Sequence, residues 1–158
     1  MSKLPENAQY ALSAKFRKRL ADIMDENDCG NVGFAELTGV SYPVISKAAN
    51  YGIVPSTRAL TKIADALQTS LPYLLGDSDV DDFHPAAFPS SFHTRVAELA
   101  EEKGVNYGQI ARKMTFPRTY FYEWQKKGTL PSLDYLMAIA DYFEVSPDYL
   151  LGRTDCRK

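Results

Sequence analysis

The sequence predicts an all-α protein built as two tandem five-helix bundles. Three observations carry this. Slid by 76 residues, Phe16–Val80 overlays Phe92–Cys156 without a gap, with 18 identities in 65 positions. Within each copy the apolar residues recur at helical spacing, three or four apart. Residues suited to capping stand at the helix starts and glycines at the stops, and no segment makes a convincing strand.

Composition bounds the function classes. The chain has 158 residues, with 18 basic and 20 acidic side chains and a formal charge of −2. At roughly 100–200 residues per domain, this length holds one ordinary domain or two small ones. Apolar residues make up 45% and aromatics 12%, enough to bury a core, so wholesale disorder is not expected. No run of 18 apolar residues exists, so no membrane span is expected. The opening MSKLPENAQYALS lacks the uninterrupted apolar stretch of a secretory signal. Cys29 and Cys156 are the only cysteines. They exclude a disulfide scaffold or Cys-rich zinc site, and the expected compartment is a reducing cytoplasm. The near-neutral balance excludes a blanket nucleic-acid coat but not a local basic face.

The second copy is the easier to read. Ser91 is a good N-cap, followed at helical spacing by Phe92, Val96, Leu99 and Ala100. Gly104 ends that helix. Asn106 caps a short second helix with Ile110, Ala111 and Met114 on its apolar side. A break follows at Thr115-Phe116-Pro117, and Pro117 suits the first turn of a third helix, where its missing N–H costs nothing. On that helix Phe121 and Trp124 share the inner face, and Lys127-Gly128 stops it. Pro131-Ser132 starts a fourth, with Leu133, Leu136, Met137, Ile139 and Ala140 inward. Ser146-Pro147 opens a short fifth ending at Leu150-Leu151-Gly152.

The first copy follows the same plan. Phe16, Leu20 and Ile23 build helix one, and Phe34, Ala35 and Thr38 lie on helix two. Gly39 makes the turn and Ser41 caps helix three, which carries Val44, Ile45 and Ala48. Leu60, Ile63, Ala64 and Leu67 fill helix four, and Pro72 to Leu75 is helix five. The domains are therefore 1–76, in which residues 1–14 extend helix one or cap the bundle, and 91–158. Between them DSDVDDFHPAAFPS, residues 77–90, reads as an acidic, proline-containing linker, either free or partly packed through Phe83 and Phe88.

Helices two and three are the informative pair. A steep crossing over a short turn needs a small residue, which Ala35 and Ala111 supply. Gly39 takes a positive φ readily, whereas the second copy has Thr115 there. Ile45 and Phe121 plug each pair into its core. Each copy thus resembles a helix-turn-helix domain of the Cro/phage-repressor (XRE-like) family. The resemblance rests on Ala35-x3-Gly39-Val40-Ser41-x3-Ile45, Pro55-Ser56-x3-Leu60-x2-Ile63-Ala64 and Tyr73-Leu74-Leu75-Gly76. In the second copy it rests on Ala111-x9-Phe121, Pro131-Ser132-x3-Leu136-x2-Ile139-Ala140 and Tyr149-Leu150-Leu151-Gly152. It implies lambda-repressor-like bundles and sequence-specific binding to double-stranded DNA, as a bacterial or phage transcriptional regulator. It also implies a homodimer on a palindrome and no cofactor.

In such a domain helix three enters the major groove, its first residues reading base edges while neighbouring loops hold phosphates. The expected positions are Ser41, Tyr42, Pro43, Val44 and Lys47 in the first copy, with Arg118, Thr119, Tyr120 and Glu123 in the second. Lys126 and Lys127, in the loop after helix three, are placed for phosphates. Residues 31–55 carry only Glu36 and Lys47, net zero. Residues 107–131 carry Arg112, Lys113, Arg118, Lys126 and Lys127 against Glu123, net +4. Phosphate neutralisation supplies most non-specific affinity, so the second copy is the expected DNA reader. Arg118 suits guanine, and Thr119 or Tyr120 a thymine methyl.

Other features read more plainly. Lys15, Arg17, Lys18 and Arg19 form a basic strip, either flanking DNA or simply solvated. Trp124 is expected in the core and Tyr122 at a partner contact. His84 and His93 stand apart from any metal-ligand spacing, so no metal is expected. No nucleophile–base arrangement appears, so no enzyme is expected. The alternative to a DNA-binding regulator is a protein-interaction module on the same fold: an antirepressor, an antitoxin-like factor or an inhibitor of a nucleic-acid enzyme. Its support is the acidic pI, the poorly charged first copy and the Tyr120-Phe121-Tyr122 run.

Overall fold

The chain is all-α. The computed structural model describes residues 11–158, and among these there are ten helices and no strand. The division between two units falls between Phe83 and His84. The remainder of the expected N-terminal extension, residues 1–10, lies outside the described residues.

The first unit holds α1 (Ala14–Glu26), α2 (Asn31–Thr38), α3 (Tyr42–Tyr51), α4 (Thr57–Leu67) and α5 (Leu71–Leu74). Three serines start helices by accepting from backbone N–H groups: Ser13 from Phe16, Ser56 from Ala59 and Ser70 from Tyr73. Phe16, Leu20, Phe34, Ile45, Leu60, Ile63, Leu71 and Leu74 are wholly buried. Each such side chain stabilises the bundle by about 1.5–3 kcal/mol. Ahead of α1 the chain pairs with the end of α3. Ser13 N–H donates to Gly52 O at 2.9 Å and Val54 N–H to Ala11 O at 3.2 Å.

The second unit holds α6 (Phe92–Lys103), α7 (Tyr107–Met114), α8 (Thr119–Lys127), α9 (Leu133–Phe143) and α10 (Pro147–Leu150). Its core is Phe92, Val96, Ile110, Phe121, Trp124, Leu136, Ile139 and Leu150. Ser91 and Ser146 cap as expected, and Asn106 forms a capping box with Gln109. Met114 and Met137, expected inward, are half-buried. A buried ion pair joins Asp148 to Arg153.

One arrangement recurs at the 76-residue shift. In the first unit the Arg19 guanidinium lies 4.0 Å over the Tyr73 ring, and its Nη2 donates to Asp79 at 3.1 Å. In the second, Arg95 lies 3.9 Å over Tyr149 and is 3.4 Å from Asp155. Each latch pins the chain after the last helix onto the first helix. The following glycine accounts for part of the Tyr-Leu-Leu-Gly signature. Gly152 has φ +76°, and a Cβ there would overlap the Ser90 carbonyl.

The segment 77–90 is held in two parts. Asp77 pairs with Lys15 at 2.6 Å, Asp79 with Arg19, and Asp81 accepts from the Thr69 hydroxyl at 2.7 Å. From His84 onward it is bonded into the second unit. His84 O accepts from Thr154 Oγ1 at 2.6 Å, Ala86 N–H donates to Arg153 O at 2.9 Å, and Ser90 N–H donates to Gly152 O at 3.2 Å. Of the two aromatics that left open whether this segment is free or packed, Phe88 is 84% exposed and Phe83 is half-buried.

Candidate nucleic-acid interface

The interface expected from sequence is α7, the turn 115–118 and α8. The turn opens at Thr115, whose φ of +63° and ψ of +36° are left-handed. Gly39 holds the same place in the first unit at φ +75°. A β-branched residue is strained there, and its hydroxyl donates locally to Met114 O at 2.6 Å. Phe116 then turns inward and is buried. Pro117 was expected in the first helical turn; it instead precedes the cap residue Arg118, and α8 begins at Thr119. The entry is wound tightly, with Tyr120 N–H to Pro117 O at 3.1 Å and Phe121 N–H to Arg118 O at 3.2 Å.

Tyr120, expected exposed, is half-buried. Its ring stacks on Phe116 at 5.4 Å and 11°, and meets Trp124 edge-on at 5.9 Å. Phe121 and Trp124 are core residues, as expected. What α8 exposes is Thr119, Tyr122, Glu123, Gln125 and Lys126, with Lys127 at its end and Arg118 at its start. Thr119, Tyr122 and Lys126 follow one another three or four residues apart, a single ridge. Tyr122 is braced there by Tyr107, which meets it edge-on at 5.4 Å and stacks on Phe121 at 4.7 Å. Burial, and then the Tyr122 phenol, push the Tyr107 phenol above its ordinary range, so it stays a neutral donor. The Arg118 stem runs past α7: a Cβ built on Gly108 would stand 3.8 Å from Arg118 Cδ.

Arg112 and Lys113 close α7; Lys126 and Lys127, expected in the loop after the third helix of the second copy, instead form the last turn of α8, because the helix runs on to its stop at Gly128. Cations at helix C-termini interact favourably with the helix dipole, worth about 0.3–1 kcal/mol each, so part of their role is local. All five cations including Arg118 are exposed, and none is ion-paired among the described residues.

The first unit presents a different face. Ser41, Tyr42, Pro43 and Lys47 are exposed, and Ser41 is the N-cap of α3 although its side chain makes no cap bond. Val44, expected exposed, is half-buried. Of the basic strip on α1, Lys15 and Arg19 are engaged by Asp77 and Asp79, while Arg17 and Lys18 stay exposed. Among the described residues no group of three or more His, Cys, Asp or Glu is placed to hold a metal ion. Among the described residues no helix is long and apolar enough to cross a membrane. His93 is half-buried; burial lowers its pKa, opposed by a hydrogen bond to the Thr129 backbone.

Local periodicity missed two features. Arg95 sits on a charged helix surface by sequence yet is buried in its latch. The signal was present: Arg19/Arg95, Tyr73/Tyr149 and Asp79/Asp155 are all identities at the repeat shift. Tyr122 belongs to the exposed ridge, which its spacing from Thr119 and Lys126 would have given. No protein-family model, curated protein or solved structure matches the chain.

Proposed function

We propose that the second unit binds double-stranded DNA through α7 and α8, and that the protein is a sequence-specific transcriptional regulator. The supporting observation is the five exposed cations Arg112, Lys113, Arg118, Lys126 and Lys127 on α7, the α8 cap and α8, none ion-paired among the described residues, against one carboxylate, Glu123. Such a face gains affinity by releasing counterions from phosphates. Base reading falls to the exposed residues at the start of α8: Arg118 donates to guanine O6 and N7, Glu123 accepts from cytosine N4, and the Thr119 methyl or Tyr122 ring meets thymine.

Titration of labelled duplex over a salt series tests this. Four or five phosphate contacts give a log–log slope of about −4. On a site selected from random duplex, Arg118→Ala costs roughly 1–3 kcal/mol and relaxes one base position. Lys126→Ala weakens all sequences alike and flattens the slope by about one unit. Absence of binding at low salt, or a slope near zero, overturns the reading.

A further inference from the structure

The second unit opens a cleft of about 310 Å³ between α7 and the end of α9, lined by Val105, Gln109, Arg112, Lys113 and Tyr142. Gln109, Arg112 and Lys113 stand three or four residues apart on one side of α7. Val105 precedes that helix, and Tyr142 lies in the last turn of α9. Lys103, at the end of α6, sets its Nζ 5.0 Å over the Tyr142 ring. None of the described lining comes from α8, so the cleft is separate from the Thr119–Tyr122–Lys126 ridge. Its volume falls within the range of small-molecule sites. At the corresponding positions of the first unit stand Asn27, Cys29, Gly33, Glu36, Leu37 and Ala66, in place of Lys103, Val105, Gln109, Arg112, Lys113 and Tyr142. All six differ, whereas the latch is Arg, Tyr and Asp in both copies. The fold therefore requires neither cations nor an aromatic ring here.

Charge and shape select the occupant. Lys103, Arg112 and Lys113 are exposed, and none is ion-paired among the described residues. The described lining holds no carboxylate, whereas three other surface clefts each carry at least two. The ligand is therefore an anion. A phosphate monoester, at about −1.5 to −2 near neutral pH, matches Arg112 and Lys113 in charge, and a guanidinium can hold two of its oxygens at once. Inorganic phosphate alone leaves the Tyr142 ring and Val105 without a partner. A nucleobase supplies one, a flat face against the ring. The Gln109 amide adds a polar contact. Its Oε1 accepts from Asn106 N–H at 2.9 Å, which leaves Nε2 to donate to a base edge.

We infer that this cleft binds a nucleoside monophosphate, its phosphate held by Arg112 and Lys113 and its base set against Tyr142. Arg112 and Lys113 also belong to the DNA face proposed above, so an occupied cleft withdraws two phosphate contacts from a duplex. That consequence alone rests on the function proposed above.

The test uses the full chain without DNA, so its outcome is separate from that of the duplex titrations. Equilibrium dialysis at about 50 mM salt is run with the labelled 5′-monophosphates of adenosine, guanosine, cytidine and uridine. At least one is expected to bind once per chain with a dissociation constant below about 1 mM. Inorganic phosphate and the parent nucleoside should each bind about tenfold more weakly or worse. Arg112→Glu, Lys113→Leu and Tyr142→Ala give the cleft the residues of the first unit. Each is expected to lower nucleotide affinity about tenfold or more, with the helical circular dichroism unchanged. Lys62→Leu, the same loss of charge on α4 of the first unit, should leave it as it was. Binding of none of the nucleotides below that limit overturns the inference. Inorganic phosphate binding as tightly as the nucleotide overturns it too, and is the result if the cleft serves only a duplex backbone. Equal losses from Lys113→Leu and Lys62→Leu overturn it as well, because they show diffuse attraction in place of a site.

Discussion

Thr115→Gly is expected to stabilise the second unit. Thr115 is left-handed at φ +63°, a conformation that costs an L-residue roughly 1–2 kcal/mol. Glycine removes that cost and loses about 0.4–1 kcal/mol through the extra freedom of its unfolded chain. The Thr115–Met114 hydrogen bond is exposed and removes a further ~0.5 kcal/mol at most. At central values the net gain is about 0.5 kcal/mol, which for a unit of this size raises the thermal midpoint by about 2–4 °C. The reciprocal change is Gly39→Ala. A Cβ there meets nothing within 4 Å and φ is +75°, so its loss of roughly 1 kcal/mol is conformational, not steric. Trp124 is the only tryptophan and is buried in the second unit, so its fluorescence follows that unit in urea. Far-UV circular dichroism follows the whole chain. Thr115→Gly should move the fluorescence midpoint upward with an unchanged slope and leave duplex affinity as it was. A neutral or lowered midpoint would refute the claim that this turn is strained.

Three further outcomes follow from the packing. Asp148→Ala removes the carboxylate paired with the buried Arg153 guanidinium and should cost about 3–5 kcal/mol; a loss under 1 kcal/mol by the same fluorescence melt contradicts the importance of that pair. Burial depresses the His93 imidazole below its ordinary 6.5, so as pH falls through about 6.5 the unfolded chain takes the proton first and stability declines until the folded pKa is passed. Between about pH 7.5 and 5.5 the native protein should lose more stability than His93→Gln, and equal losses exclude this assignment. On duplex DNA, Tyr120→Phe should change nothing, because the ring stacks on Phe116, whereas Tyr122→Ala should weaken binding by about 1 kcal/mol or more. Equal effects from the two would reassign the reading face.

What was legible in the sequence follows its physical range. Caps and stops depend on a few adjacent residues, so Ser91, Asn106, Gly104 and Gly128 fall where the sequence puts them. The core faces also came through, since Phe92, Val96, Leu99, Phe121 and Trp124 keep helical spacing. The site was harder. Exposure of Tyr120 depends on Phe116 turning inward from a loop, and loop side chains have no period to read. The engagement of Lys15 and Arg19 depends on carboxylates 62 and 60 residues away, beyond any local pattern. Only the self-comparison of the chain reached that far, through the matched Arg, Tyr and Asp of the two latches.

Asp77, Asp79 and Asp81 fall at every second residue, the period at which an extended chain turns one side to its support. Asp77 and Asp79 hold by ion pairs at the surface, which added salt screens, although the Asp77 and Ser78 N–H groups also donate to Pro72 O. The far side of the segment is held by backbone hydrogen bonds from Ala86 and Ser90, which salt leaves alone. Raising the ionic strength therefore pays out tether from its acidic end only. Releasing residues 79–82 adds a coil of root-mean-square length about 5–6 Å × √4, roughly 10–12 Å. The local concentration of one unit around the other falls as that coil lengthens. Amide exchange reads this directly: Val80 should open faster as salt rises while Ala86 and Ser90 keep their protection, and parallel acceleration at all three would show a tether that lets go at both ends.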